Sequence, residues 1–152
     1  MALILNGSTT ILTHATATSN IGLGANAVDS ITTGDWNVGL GDNALTATTS
    51  GEQNTAVGFE ALKANTTGVN NVAVGQASLE SNTTGADNVA VGRRSLYTNT
   101  TGVSNIGIGY KSLEANTTAS NNTAVGYQSL TTNTTGASNT GVGTCWLSSI
   151  RC

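Results

Sequence analysis

Charge is what this chain most lacks: Asp, Glu, Lys and Arg together make up 9% of its 152 residues, against about a quarter in ordinary globular domains. Such a chain is not built like a soluble enzyme. Asn, Thr, Ser and Ala stand where charged residues would, so the surface is neutral and polar. The few charges sum to -3, with an isoelectric point near 4.7. No basic field draws phosphate, which argues against nucleic acid and against an anionic membrane as partners.

Other scarcities narrow the field further. No apolar run approaches the roughly 20 residues that span a bilayer, and the reading is a soluble protein or part of a soluble assembly. The start, Met1-Ala-Leu-Ile-Leu-Asn6, has no basic segment and too short an apolar run for a secretory signal. Proline is absent and aromatics stand at 4%. The two cysteines, Cys145 and Cys152, fall close to the end of the chain and cannot staple the body of a fold. Disordered chains combine high net charge with few β-branched residues. Here Val, Ile and Thr are plentiful and regularly placed.

That regularity is a repeat. Asn20-Ile-Gly-Leu-Gly24, Asn37-Val-Gly-Leu-Gly41, Asn54-Thr-Ala-Val-Gly58, Asn71-Val-Ala-Val-Gly75, Asn88-Val-Ala-Val-Gly92, Asn105-Ile-Gly-Ile-Gly109, Asn122-Thr-Ala-Val-Gly126 and Asn139-Thr-Gly-Val-Gly143 follow one another at a constant spacing without insertion. The steps from Asn20 to Asn37 and from Asn37 to Asn54 define a 17-residue unit. Numbered from its Asn, the unit has Ile, Val or Thr at position 2, Gly or Ala at 3, Val, Leu or Ile at 4 and Gly at 5. Alternation with period two describes a short strand with apolar side chains at 2 and 4 packed on one face. Position 3 admits nothing large, so the opposite face is expected to lie close against a partner chain. Position 8 is Ala or Ser until Trp146, and position 9 is Leu in every unit but the first, where Val28 stands. This is a second internal row.

Positions 12 to 15 read Asn-Thr-Thr-Gly at Asn65, Asn82, Asn99 and Asn133, which is turn chemistry, with Asn bonding nearby backbone and Gly taking a positive φ. Asn116-Thr-Thr-Ala119 places Ala where Gly recurs. That turn either avoids positive φ or costs about 1 kcal/mol. A 17-residue unit is too short for a strand, a crossover helix and two loops. It suits one coil of an all-β, parallel β-solenoid in which each column stacks on its own copies about 4.8 Å apart and Asn side chains form amide ladders. Two or three apolar side chains per coil make a thin core. Several solenoids packed side by side, most simply a parallel homotrimer, are therefore expected. Residues 1–19 read as an N-terminal cap, 20–144 as the repeat array and 145–152 as a C-terminal cap, with Trp146 as a plug. Both an intrachain and an interchain disulfide remain open for Cys145 and Cys152.

The stretch Asn122-Thr-Ala-Val-Gly-Tyr-Gln-Ser-Leu-Thr-Thr-Asn-Thr-Thr-Gly-Ala-Ser138 resembles the repeats of bacteriophage tail-fibre and tail-spike proteins. The Val-Ala-Val-Gly core is more distantly similar to the head repeats of trimeric autotransporter adhesins. The resemblance implies a rigid, trimeric, receptor-directed shaft or head. No heptad stalk, membrane-barrel anchor or C-terminal intramolecular chaperone is recognisable, and a virion component fits better than a secreted adhesin.

Residues for chemistry are sparse. Acid/base catalysis needs clustered titratable groups, and His14, the only histidine, reads as a surface side chain. Glu80 and Glu114 share position 10 but are separated by the coil of Tyr97, which argues against a glycosidase carboxylate pair. Gly107-Ile-Gly109 is not followed by the Lys-Ser/Thr of a phosphate loop, and no Asp recurs as in calcium β-rolls. Neither cofactor nor metal is expected. Asn65, Asn82, Asn99, Asn116 and Asn133 are formal glycosylation acceptors, better explained by the turn. Thr rows at positions 13 and 14 suggest ice binding, except that adjacent strand residues face opposite ways.

Variation inside a strict repeat marks an exposed edge. Positions 6 and 7 run Ala25-Asn26, Asp42-Asn43, Phe59-Glu60, Gln76-Ala77, Arg93-Arg94, Tyr110-Lys111 and Tyr127-Gln128. Phe59, Arg93, Arg94, Tyr110 and Tyr127 are the candidate ligand-binding ridge, of a kind that suits a glycan, with bare turn residues as the alternative. The overall reading is a non-enzymatic, homotrimeric fibre or adhesion rod, in a virion or extracellular, whose surface contacts a host glycan. The alternative is a filament subunit stacking head to tail, with an ice-binding solenoid and a glycan-degrading spike behind it.

Overall fold

In the computed structural model, residue 17 and residues 19–144 are described, so His14, Trp146, Cys145, Cys152 and the body of both expected caps lie outside the described residues. Eight three-residue strands recur at the period of the repeat: β1 (Ile21–Leu23), β2 (Val38–Leu40), β3 (Thr55–Val57), β4 (Val72–Val74), β5 (Val89–Val91), β6 (Ile106–Ile108), β7 (Thr123–Val125) and β8 (Thr140–Val142). Each pairs in parallel with the next in chain order, forming one eight-stranded sheet. The register advances by one whole repeat at each pairing, as in Val72↔Val89 and Ala73↔Ala90. No helix occurs among the described residues. The chain is an all-β solenoid, as its period predicts. Seven steps between β1 and β8 give a rod of about 34 Å at the usual strand spacing.

The strands are short because position 5 stops them. Its glycines take φ between 118° and 134°, a region that L side chains avoid. A Cβ added to Gly75 would stand 2.7 Å from the carbonyl carbon of Gly92 on the next coil. Beyond that corner, positions 7, 9 and 17 take φ between 49° and 62° whatever residue stands there, Leu79 and Asp87 included. Left-handed backbone costs a non-Gly residue about 1–2 kcal/mol. Bonds between coils hold it: Ala77 N–H donates to Phe59 O on the coil before at 2.9 Å, Leu79 N–H to Ser95 O on the coil after at 3.0 Å, and Asp87 N–H to Val69 O at 3.1 Å. The ladder thus continues well outside the strands.

The strand faces the opposite way from that expected. Position 3 points into the coil, where Ala56, Ala73, Ala90 and Ala124 are fully buried against the leucine column of Leu45, Leu62, Leu79, Leu96 and Leu113. A leucine already fills the narrow interior, which is why only Gly or Ala fits beside it. A Cβ on Gly141 would come within 2.8 Å of Leu130 Cγ. Positions 2 and 4 point outward: Ile21 is 56% exposed, Ile108 39% and Val142 78%.

Two buried amide columns flank the apolar one. At position 1, Asn71 Nδ2 donates to Asn54 Oδ1 at 3.1 Å and to Gly85 O at 2.8 Å, while Asn71 N–H donates to the same Asn54 Oδ1 at 3.0 Å. At position 12, Asn82 Nδ2 donates to Asn65 Oδ1 at 2.9 Å and to Gly85 O at 3.0 Å. Buried amides so paired escape the roughly 1–3 kcal/mol cost of an unmet polar group. The turn glycines at position 15 do not take the positive φ expected of them. Their constraint is close approach, since a Cβ on Gly68 would meet Gly85 O at 2.5 Å. Ala119 sits there without positive φ, and its carbonyl accepts Asn116 Nδ2 at 3.0 Å as the glycines do.

Candidate functional site

Four of the five Lys and Arg residues of the chain, Lys63, Arg93, Arg94 and Lys111, lie at positions 6, 7 and 10 of the third to sixth coils. Position 6 follows the Gly corner at the strand's end, and its side chains project from the edge of the rod. There Tyr110 and Tyr127, on neighbouring coils, stack with ring centroids 5.2 Å apart and planes 24° from parallel. The Arg93 guanidinium lies 5.7 Å from the Tyr110 centroid, and Lys111 Nζ is also 5.7 Å from it. Arg93, Tyr110 and Tyr127 are thus one continuous column.

The other two ridge residues are not part of it. Phe59 is 46% exposed but stands three coils from Tyr110, about 14 Å at the usual spacing. Arg94, at position 7, turns toward position 10. Its guanidinium lies 4.0 Å from the Tyr97 centroid, and Nε is 2.8 Å from Glu114 Oε1, an ion pair without hydrogen-bond alignment. Lys111 Nζ reaches Glu114 Oε2 at 3.2 Å. Tyr97, Lys111 and Glu114 therefore form a second cluster that the columns of positions 6 and 7 alone did not reveal. Its signal in the sequence was position 10, where Lys63, Glu80, Tyr97 and Glu114 replace the small residues of other coils.

Farther down the same side, Lys63 Nζ donates to Glu60 Oε1 at 2.7 Å, a bond that raises the Lys63 pKa against a smaller opposing effect of desolvation. Partial burial lifts the Glu80 carboxyl above its ordinary range, and the Glu60 charge adds to it, while Lys63 and Arg94 pull the other way. Thr46, Ala47, Lys63, Ala64, Glu80 and Ser81 line a shallow groove there. Among the described residues no three of His, Cys, Asp and Glu come close enough to hold a metal ion, and no helix is long and apolar enough to cross a membrane.

The threonine rows are not two exposed columns. Thr66 Oγ1 donates to Thr83 O at 3.0 Å and Thr83 Oγ1 to Thr100 O at 3.0 Å, and the same bond recurs along position 13. Only position 14 is open to solvent along the whole described array, position 13 being exposed at Thr32 and Thr134 alone, and a single row falls short where ice matching needs an array. The formal glycosylation acceptors are equally occupied, because the buried Asn82 and Asn99 amides already donate to Asn Oδ1 and Gly O. No protein-family model, curated protein or solved structure matches this chain.

Proposed function

We propose that the chain is the rod segment of a homotrimeric fibre of the phage tail-fibre or adhesin kind, in a virion or extracellular, with its outer edge contacting a host-surface glycan. The observation that carries the reading is the outward strand face. Val, Ile, Leu or Thr fills positions 2 and 4 in all eight strands, and no charge interrupts it. An apolar stripe of this length on a soluble rod calls for cover. A three-residue strand is about 10 Å wide and eight rungs about 38 Å tall, so the face offers about 380 Å² per chain. That is half of the roughly 800 Å² that one partner gives to a standard interface. Two such faces pressed together fall short. A threefold ring, in which each chain also presents its flanks to two neighbours, makes up the difference, and it would show any weak surface site three times.

Light scattering in native buffer tests this: the reading expects about 46 kDa, three times 15.2 kDa, and electron micrographs of short discrete rods. Replacing Val89 and Val91 with Lys, both outward in β5, is expected to give monomers. A single-chain mass for the parent protein overturns the trimer, and indefinite fibrils overturn it in favour of head-to-tail stacking.

A further inference from the structure

We infer that the column Arg93–Tyr110–Tyr127 binds an acidic glycan, with Arg93 pairing the anionic group and Tyr127 supplying the ring face for a sugar farther along the same glycan. This rests on the glycan-contacting reading above and specifies its ligand. In an acidic chain, three of the five cations are gathered in two adjacent coils, at Arg93, Arg94 and Lys111. They are not equivalent. Arg94 and Lys111 both lean on Glu114, and Arg94 is also within electrostatic reach of Glu80. Arg93 is exposed and makes no ion pair among the described residues. Its guanidinium is instead held beside the Tyr110 ring, which orders the planar fork without neutralising it. An ordered, unpaired guanidinium is suited to bidentate recognition of a carboxylate or sulfate.

The stacking assigns the rest. Coil order puts Arg93 on one side of Tyr110 and Tyr127 on the other, so both Tyr110 faces are taken. Tyr110 is a spacer. Tyr127 is 52% exposed, with only Thr144 following it among the described residues of that column, and its outer face is the one free for a sugar ring. Arg93 and Tyr127 are two coils apart, and a sugar on the outer face of Tyr127 lies one spacing farther, about 14 Å from the guanidinium at the usual strand spacing, a span that three linked sugars bridge. Neutral donors and acceptors for hydroxyls stand alongside at Gln76 and Gln128.

Titration of the full chain with three tetrasaccharides tests this: oligogalacturonate, whose anion is a carboxylate, a heparin-derived fragment, whose anions include sulfate, and neutral cellotetraose. The expected result is at least tenfold tighter binding of an acidic sugar than of cellotetraose, falling tenfold or more in Arg93→Gln and in Tyr127→Ala. The tighter of the two acidic arms names the anion. Arg94→Gln, which removes the ion pair with Glu114 and the contact with Tyr97 but no member of the column, is expected to stay within twofold of the parent. Equal loss in Arg94→Gln overturns the assignment in favour of diffuse charge attraction, and acidic binding that survives Arg93→Gln overturns it outright. Cellotetraose binding as tightly as the acidic sugars, with loss in Tyr127→Ala, overturns the acidic ligand and leaves the glycan ridge standing. Failure of all three sugars overturns both.

Discussion

At position 9 leucine recurs from Leu45 to Leu130, while two residues earlier position 7 reads Asn43, Glu60, Ala77, Arg94, Lys111 and Gln128. Both columns hold the same left-handed backbone, with φ of 49° to 55° at these leucines and 54° to 59° at position 7. The backbone state is therefore imposed by the stack and not by the residue. What differs is the destination of the side chain. Position 9 enters a space that one leucine fills, and every coil repeats the same solution. Position 7 lies along the rod's edge, buried at Ala77 and half-buried at Asn43, Glu60, Arg94, Lys111 and Gln128, where side chains of any size are accommodated and variation accumulates. Interior columns answer to their own copies on the neighbouring coils, and edge columns answer to solvent and ligand.

The sharpest way to break the interior side is Gly75→Ala. It combines a φ of 129° with a Cβ 2.7 Å from the Gly92 carbonyl carbon. Left-handed strain and backbone overlap together cost about 4 kcal/mol or more, and denaturant unfolding should show a midpoint far below the parent's. Leu79→Ala, fully buried in the apolar column, is expected to lose about 2–5 kcal/mol by the same measurement. Asn88→Ala comes next. It leaves Asn105 N–H without the acceptor it has at 2.9 Å and takes from Gly102 O one of its two amide donors, at 2.8 Å, the other being Asn99 Nδ2, and about 1–3 kcal/mol should be lost. Gly85→Ala sharpens the contrast with Gly75→Ala, because no positive φ is required there while a Cβ would still stand 2.5 Å from Gly102 O. Its cost comes from overlap alone, without left-handed strain, and should be about 1–3 kcal/mol, below that of Gly75→Ala.

On the edge, the smallest effect is expected at Glu80. Its pKa is raised in the folded chain by burial and by Glu60. The folded state therefore holds that proton more tightly than the unfolded state. Stability contributed by this group is present at acidic pH and is lost as pH rises from the ordinary carboxylate value through the raised one. Glu80→Gln should flatten that dependence and leave thermal stability at pH 7 equal to or slightly above the parent's, as a melting series between pH 3 and 8 would record.

The solenoid was legible because identical columns can stack only if the chain returns to the same place once in every repeat. The amide ladders were legible for the same reason. The orientation of the strand was not, since alternation says that positions 2 and 4 share a face without saying which face looks inward. The deciding fact was volume: Leu45 and its copies already occupy the interior, so the small residue at position 3 belongs beside them. Position 15 misled because glycine serves close approach as well as positive φ, and Ala119 was the clue that told the two apart. The left-handed turns at Leu, Glu and Arg contradict local propensity and are visible only once the bonds between coils are known. At the edge, the alignment of Tyr110 with Tyr127 followed from register, but the turn of Arg94 toward Tyr97 and Glu114 depended on rotamers that no spacing encodes.

The central claim is that every coil is bonded through its backbone to the coils directly before and after it, and scalar couplings across hydrogen bonds in isotopically labelled protein read this directly. The couplings expected are from Val72 N–H to Asn88 C′, from Gly75 N–H to Val57 C′ and from Leu79 N–H to Ser95 C′, at 2.9, 2.7 and 3.0 Å. Couplings confined to near neighbours within one coil, or strand pairs whose register departs from a whole repeat, would contradict it.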